Sequence, residues 1–321
     1  MAYSRQVAGN SFGEKERSCE LSFQNALREI GPIWHICTPG DFQEIIFTND
    51  DDFIFGVNNM AISAYDAGIV VITDSVMDNH IHSLAAGPRE RCISFVGTYR
   101  ARLDRFLAAS GRYVDLSRFK CLDPIEVTDI EMVRNEIVYI NRNGYVVSPS
   151  FTPFSYPWGA GASYFNHPYL MANSLAYNDL PYREKRKISM SRVSDMPTSY
   201  AVLNGMIVPS SYANVRLGES FFRDAHQYFN MLSKNYEAYS AEAKRLGDSL
   251  ILTDEEIYPV ARSISVQRFN QKQPSLLPPD SKIEVAKVLH NEYRASNAQI
   301  QRVMKLSAYT VNSLWPLSAK R

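Results

Sequence analysis

The chain has 321 residues, 45% of them apolar, and its 34 basic and 34 acidic side chains cancel to zero net charge. That length fits about two domains, and with no long apolar run and no apolar N-terminal stretch it predicts a cytoplasmic protein without a membrane span or secretory signal. Zero net charge argues against a uniformly basic nucleic-acid coat, while leaving room for local basic patches.

Residues 1–17 are polar and expected to be flexible. Residues 19–30 fit a short amphipathic helix. Ile33, Trp34, His35, Ile36, Cys37 and Thr38 form a compact predicted strand, stopped by Pro39-Gly40. After an apolar segment at 42–47, Asn49 and Asp50–Asp52 supply N-cap candidates for a helix to about 65, with Phe53, Val57, Met60 and Ala61 at helical spacing. Gly68 ends it, and the β-branched run after Gly68 reads as a buried strand over 68–76.

A tight turn at Asp78-Asn79 leads into a second extended stretch, 79–86, antiparallel to the first. Side chains of a strand alternate between faces, so His80 and His82 point the same way and Ile81 the other. Two imidazoles side by side on a rigid strand can hold a divalent metal. The same spacing also occurs as a plain surface feature of edge strands.

Pro88 opens a helix to about 107, with Ile93, Val96, Leu103 and Leu107 as the expected buried stripe. A short strand is expected over 116–122, then a helix over 129–143 closed by Gly144. In that last helix Ile130, Val133, Ile137 and Ile140 form the core stripe. Tyr139 lies about 200° round from Ile137, on a flank shared with Asn135, Glu136 and Asn143. The order strand, helix, strand, strand, helix, strand, helix predicts an α+β fold: a ferredoxin-like (RRM-like) antiparallel sheet with helices on one face and an added helix, followed by an all-α C-terminal region.

Basic residues gather between 89 and 120, including Arg91, Arg100, Arg102 and Arg105, and again at Arg183, Lys185, Arg186, Lys187 and Arg192. Either group can be a solvated face or a set of phosphate contacts. Tyr99, Tyr156, Trp158, Tyr164 and Phe165 can stack unpaired bases or fill the core. The four cysteines, Cys19, Cys37, Cys92 and Cys121, show no Cys-x-x-Cys spacing and are expected as reduced thiols, not a cysteine zinc site.

From 182 the sequence changes character. Residues 196–209 look irregular and 219–246 helical. Another helix is expected from 253 to about 266, and 269–279 reads as a linker. Three short helices follow, at 281–293, from the cap Ser296 onward, and at 309–314. They resemble a helix-turn-helix module, with Asn297, Gln299, Gln301, Arg302 and Lys305 as candidate groove-facing residues. The expected division is 1–178, 179–275 and 276–321.

His80-Ile81-His82, preceded by Val76-Met77-Asp78-Asn79, resembles the Met-Pro-Asn-His-x-His motif of the HUH single-strand transposases. Tyr139-Ile140-Asn141-Arg142-Asn143-Gly144 resembles the Tyr-Ile-x-x-Asn-Pro motif of their REP-associated tyrosine transposase branch. Tyr156-Pro157-Trp158-Gly159-Ala160 resembles that branch's Tyr-Pro-Trp-Ser-Ser. Order and spacing agree over about 30–165. Gly144 stands where the family has Pro, and Gly159-Ala160 where it has Ser-Ser.

The resemblance implies an enzyme that cleaves and rejoins single-stranded DNA through a phosphotyrosine. Tyr139 would be the nucleophile, and His80, His82 and Asn143 the ligands of a divalent metal, Mg²⁺ or Mn²⁺. Arg91, Arg100, Arg102, Arg105 and Trp158 in the first part, and Arg302 and Lys305 in the last, would contact DNA. The implied partner is single-stranded or hairpin DNA at the nucleoid, engaged by a monomer or a homodimer. A domesticated relative that only binds nucleic acid, or a related HUH nuclease, would carry the same motifs.

Overall fold

A computed structural model of the chain describes residues 2–40, 45–146, 151–152, 154–166, 173–190, 196–233, 254–293 and 295–316; the side chains of 2–12, 145–146 and 254–256 are not described. The chain falls into two compact units, Met1–Lys234 and Asn235–Arg321.

The first unit is built on a four-stranded antiparallel sheet of β1 (Ile33–Cys37), β2 (Val70–Val76), β3 (Ile81–Ala86) and β4 (Ile125–Val127). The strand order β2-β3-β1-β4 is the ferredoxin-like order that the alternation of elements predicts. Helices α2 (Asp50–Ala67) and α3 (Arg89–Ala109) cover one face, and α4 (Ile130–Val146) covers the other, so the helices are not confined to the one face expected. Helix α1 (Ala2–Glu29) spans most of the N-terminal stretch expected to be flexible.

Local chemistry sets the ends of α2. The Asn49 side chain accepts from the Asp52 backbone N–H, and Gly68 takes a left-handed conformation (φ 62°) whose N–H reaches back to the last carbonyls. Helices α2 and α3 are tied together by Asn59, which donates to the Tyr99 carbonyl at 2.9 Å. In α3 the buried stripe is Cys92, Phe95, Val96, Tyr99, Leu103 and Leu107, while Ile93 is exposed.

Two further expectations are corrected. The strand expected over 116–122 is a run of turns, held by Leu116 and Phe119 in the core and by a Leu122 N–H to Cys37 carbonyl bond of 3.0 Å. The fourth strand is Ile125–Val127, with Val127 opposite Ile33. Gly144 does not end α4, which runs on to Val146. Its lack of a side chain serves packing, since a Cβ there would lie 2.5 Å from the Tyr156 ring.

Strand β2 is an edge of the sheet, and the segment around Trp158 seals it. The Val76 N–H donates to the Trp158 carbonyl at 2.8 Å, and Ser75 bridges to Gly159. Any Cβ at Gly159 would overlap the Asp74 carbonyl oxygen, so the Ser of the transposase motif has no room in this arrangement.

Residues 196–209, expected to be irregular, contribute to a second small sheet. It is formed by β5 (Leu175–Ala176), β6 (Ala201–Leu203) and β7 (Met206–Ile207). Tyr177, Leu180, Met196, Val202 and Ile207 pack on Ala61 and Ile62 of α2. Residues 179–233, expected as an accessory region, therefore belong to the first unit. The predicted helix over 219–246 is seen as α7 (Val215–Ser220) and α8 (Ala225–Ser233); its remainder lies outside the described residues, as do 42–44 of the apolar segment and Arg192 of the second basic cluster.

The second unit contains α9 (Asp254–Phe269), α10 (Pro279–Tyr293), α11 (Asn297–Met304) and α12 (Ala308–Leu314) around one apolar core. Ser296 and Gln299 form a reciprocal capping box at the start of α11. The expected linker over 269–279 is packed: Leu277 belongs to the core and Pro274–Leu276 forms a 3₁₀ turn.

One buried carboxyl in the first unit gives the fold a pH dependence. Asp74 faces α2 and α3 and accepts from the Tyr212 hydroxyl at 2.8 Å, yet burial pushes its pKa from 3.8 to about 7. A carboxyl with a raised folded-state pKa favours the fold most when protonated. Its contribution is full below pH 3.8 and is lost as the pH rises to about 7, by roughly 4 kcal/mol at most. Urea unfolding of Asp74→Asn between pH 4 and 8 should lack this downward component, and an identical pH slope in both proteins contradicts the assignment.

Candidate active site

The site begins with strand pairing. Cys37 of β1 sits opposite His82 of β3, and His35 opposite Leu84. Paired residues of neighbouring strands share a face, and alternation adds every second residue. His35, Cys37 and His82 therefore occupy one face, the face under α4. His80 precedes β3 by one residue, where the β2–β3 turn is held by the Met77 N–H to His80 carbonyl bond. Its Nδ1 lies 2.7 Å from the side-chain oxygen of Asn79.

Helix α4 completes the site from above. The Glu136 carboxylate lies 2.5 Å from His35 Nδ1, and His35 Nε2 lies 3.1 Å from His82 Nδ1. The Tyr139 ring lies 5.5 Å from that of His82 and 5.9 Å from that of His35. The rings of His80 and His82 are 4.9 Å apart. About half a turn beyond Tyr139 on α4, Thr73 of β2 donates to Asn141 at 2.5 Å and fixes the helix on the sheet.

The flank of α4 bearing Tyr139 lies off the predicted core stripe, where exposure is the ordinary outcome. Instead Tyr139 is 3% exposed, Asn143 5% and Glu136 0%, and of that flank only Asn135 is exposed. The reason is a second layer on the outer side of α4. Arg134 donates to the Phe221 carbonyl and to Glu16 of α1, and Asn141 donates to the Tyr228 hydroxyl of α8. Both sides of the helix are consequently inside the unit.

The sequence motifs His80, His82 and Tyr139 are thus brought together between the sheet and α4. Asn143 follows Tyr139 by one turn on the same helix and is buried with it. His35, Cys37 and Glu136 complete the cluster. Sequence reading passed over the first two as parts of a strand, although their i, i+2 spacing matches that of His80 and His82. The ligand atoms of His35, Cys37 and His82 lie within 4.8 Å of one another, so this trio too could hold a metal ion.

The DNA-contact candidates are placed less uniformly. Arg91, Arg100 and Arg105 are exposed on α3, on the opposite side of the sheet from Tyr139. Arg102 is buried and structural: its Nε donates to Asn59 at 2.7 Å and its guanidinium to the Ser189 carbonyl at 2.5 Å. Desolvation lowers its pKa from the ordinary arginine value. Trp158 is half-buried, stacked on Phe53 with centroids 5.1 Å apart.

Of the aromatic candidates, Tyr99, Tyr156 and Tyr164 are core residues. Their hydroxyls donate to the carbonyls of Gly56, Val76 and Ile72. In the second unit Arg302 and Lys305 are exposed. Asn297 is engaged inside it, donating to Asn312 and to the Trp315 carbonyl, and Gln299 is occupied by the capping box.

Comparison of the chain with protein-family models, with curated proteins and with solved structures returns no match. Its functional reading therefore rests on the site itself.

The four arginines separate in a stability experiment. Arg102→Ala removes a buried guanidinium and its hydrogen bonds to Asn59 and the Ser189 carbonyl, and should cost about 2–4 kcal/mol in urea unfolding. Arg91→Ala, Arg100→Ala and Arg105→Ala should each stay within about 0.5 kcal/mol of the parent. Equal effects at all four positions would contradict the buried role of Arg102.

Proposed function

We propose that the chain cleaves and rejoins single-stranded DNA with Tyr139 as the nucleophile and a divalent ion held by His80 and His82. The observation that carries this reading is the convergence of Tyr139 with the two histidines from separate elements, 5.5 Å and 4.9 Å between successive rings. Motif order along the chain supports it, since His80, His82 and Tyr139, which match the HUH pattern, meet in space.

The residues fit the group they would hold. His80 and His82 are imidazole donors on one face, and imidazole suits Mn²⁺ better than Mg²⁺, which prefers oxygen ligands. A carboxamide oxygen from Asn143 is the third donor assigned by the motif. When bound, the ion polarises a phosphate and offsets the charge developing on it.

The chain's own groups do the rest. The Tyr139 hydroxyl oxygen attacks phosphorus, its proton leaves, and the bond from phosphorus to the next sugar oxygen breaks. That oxygen takes up a proton and becomes a free strand end. A phenol has a pKa near 10 and is mostly protonated at neutral pH, so a base must accept its proton. Glu136 shares the flank, but its carboxylate is bound to His35; its contribution runs through that histidine. The phosphotyrosine retains the ester bond energy, so a hydroxyl on another strand end can reverse the step without ATP.

Burial of Tyr139 bears on the substrate. A duplex is too wide to reach a phenol enclosed between a sheet and a helix, so this reading is confined to an unpaired strand. The same burial is the one feature that favours the second reading, a relative that binds nucleic acid without cutting it.

The two readings part in a denaturing-gel assay with labelled hairpin oligonucleotides and Mn²⁺. The parent protein should form a protein-sized labelled adduct that EDTA abolishes. Tyr139→Phe should bind the oligonucleotide within about threefold of the parent and form no adduct. An adduct surviving in Tyr139→Phe removes Tyr139 as the nucleophile; metal-independent binding without any adduct favours the binding-only relative.

A further inference from the structure

The transposase motif does not account for His35, Cys37 and Glu136, which nevertheless form half of the buried cluster. We propose that His35, Cys37 and His82 form a second seat, for a soft divalent ion such as zinc, and that filling it withdraws His82 from its pair with His80. The second half of this statement rests on the proposed role of that pair.

Donor chemistry selects the ion. Two imidazoles and a thiolate suit zinc and exclude magnesium and calcium, which take oxygen ligands. Around a tetrahedral zinc, nitrogen and sulfur ligands stand about 3.3–3.6 Å apart, given bonds of about 2.0–2.3 Å. In the structure the two nitrogens are 3.1 Å apart and all three donors lie within 4.8 Å, so shifts of roughly an ångström or less close the seat. The three side chains come from paired strands, which keeps their spacing stiff.

Glu136 supplies the orienting group. Its carboxylate oxygen accepts from His35 Nδ1–H, which leaves the lone pair of the ring on Nε2, aimed at His82. Carboxylate, histidine and metal in that sequence is the usual support of a zinc-bound imidazole.

The consequence for His82 follows from proton bookkeeping. With the seat empty and His35 neutral, its Nε2 holds a lone pair, so the proton of the 3.1 Å contact sits on His82 Nδ1. The other nitrogen of His82, Nε2, then carries the lone pair and can serve beside His80. When zinc enters, His82 must bind through Nδ1, so its proton moves to Nε2. The Cys37 thiol proton leaves to solvent. A neutral imidazole has one lone pair, so His82 can serve one seat at a time, and zinc and the manganese held with His80 exclude each other.

The test uses the full-length protein and needs no DNA. Co²⁺, a coloured stand-in for zinc, should bind one equivalent and give the near-ultraviolet charge-transfer band of a cobalt–thiolate bond, and Zn²⁺ should displace it. Cys37→Ser should lose the band and bind Co²⁺ at least about tenfold more weakly, while Cys121→Ser keeps both. Mn²⁺ binding, followed by electron paramagnetic resonance, should weaken at least about tenfold in the zinc-loaded protein. No thiolate band in the parent protein, or a band that persists in Cys37→Ser, overturns the seat. Mn²⁺ binding indifferent to zinc overturns the exclusion. A thiolate band in a protein that forms no DNA adduct sinks the catalytic reading and leaves the seat standing; metal-dependent adducts without the band do the reverse.

Discussion

The hydrogen-bonded line from Glu136 through His35 to His82 fixes the space between the sheet and α4, and the rest of the first unit is arranged to keep that space closed. A buried carboxylate is tolerable only with partners, because an unpaired charge in the interior costs several kcal/mol. Glu136 is fully buried and finds its partner on the sheet. That requirement couples the position of α4 to the register of β1. A slip of one residue between β1 and β3 would send His35 and Cys37 to the other face, among the side chains of α2 and α3. Thr73 with Asn141, and the outer contacts of Arg134, hold the same helix from two more directions.

Polar groups are unusually concentrated in this layer for a protein interior. His35, His80, His82, Glu136, Asn141 and Asn143 are all buried within the central elements. Such a set is poorly explained by stability, since apolar residues of similar volume would fill the space at less desolvation cost. It is the kind of departure from good packing that marks a site with chemistry.

Much of the sheet was legible because its signals are local. The alternation around His80 and His82, the Asn49 cap and the Gly68 stop all act within a few residues, and β2, β3 and α2 fall where those signals put them. What sequence spacing could not supply was pairing. The match of Cys37 with His82 depends on which strands become neighbours, so a set that could hold a metal, spread over two strands, stayed hidden while the His-x-His pair was visible. Helix faces failed for a similar reason. Arg102 was read with the exposed arginines of α3, but α5 (Tyr182–Ser189) presents the Ser189 carbonyl to it and buries it. The fourth strand was misplaced because Leu116 and Phe119 are apolar enough to suggest a strand, whereas they anchor turns.

The sealing of β2 by the Trp158 segment also limits how copies of this chain can associate. A free sheet edge offers unpaired backbone groups that recruit a strand from another molecule. Here the Val76 N–H is already taken by Trp158, the Val76 carbonyl by the Tyr156 hydroxyl, and Ser75 by its bridge to Gly159. At this end of the strand, next to the histidine turn, the margin is closed to strand exchange. Two molecules cannot merge their sheets there into one continuous surface, and each buried histidine cluster keeps its own floor.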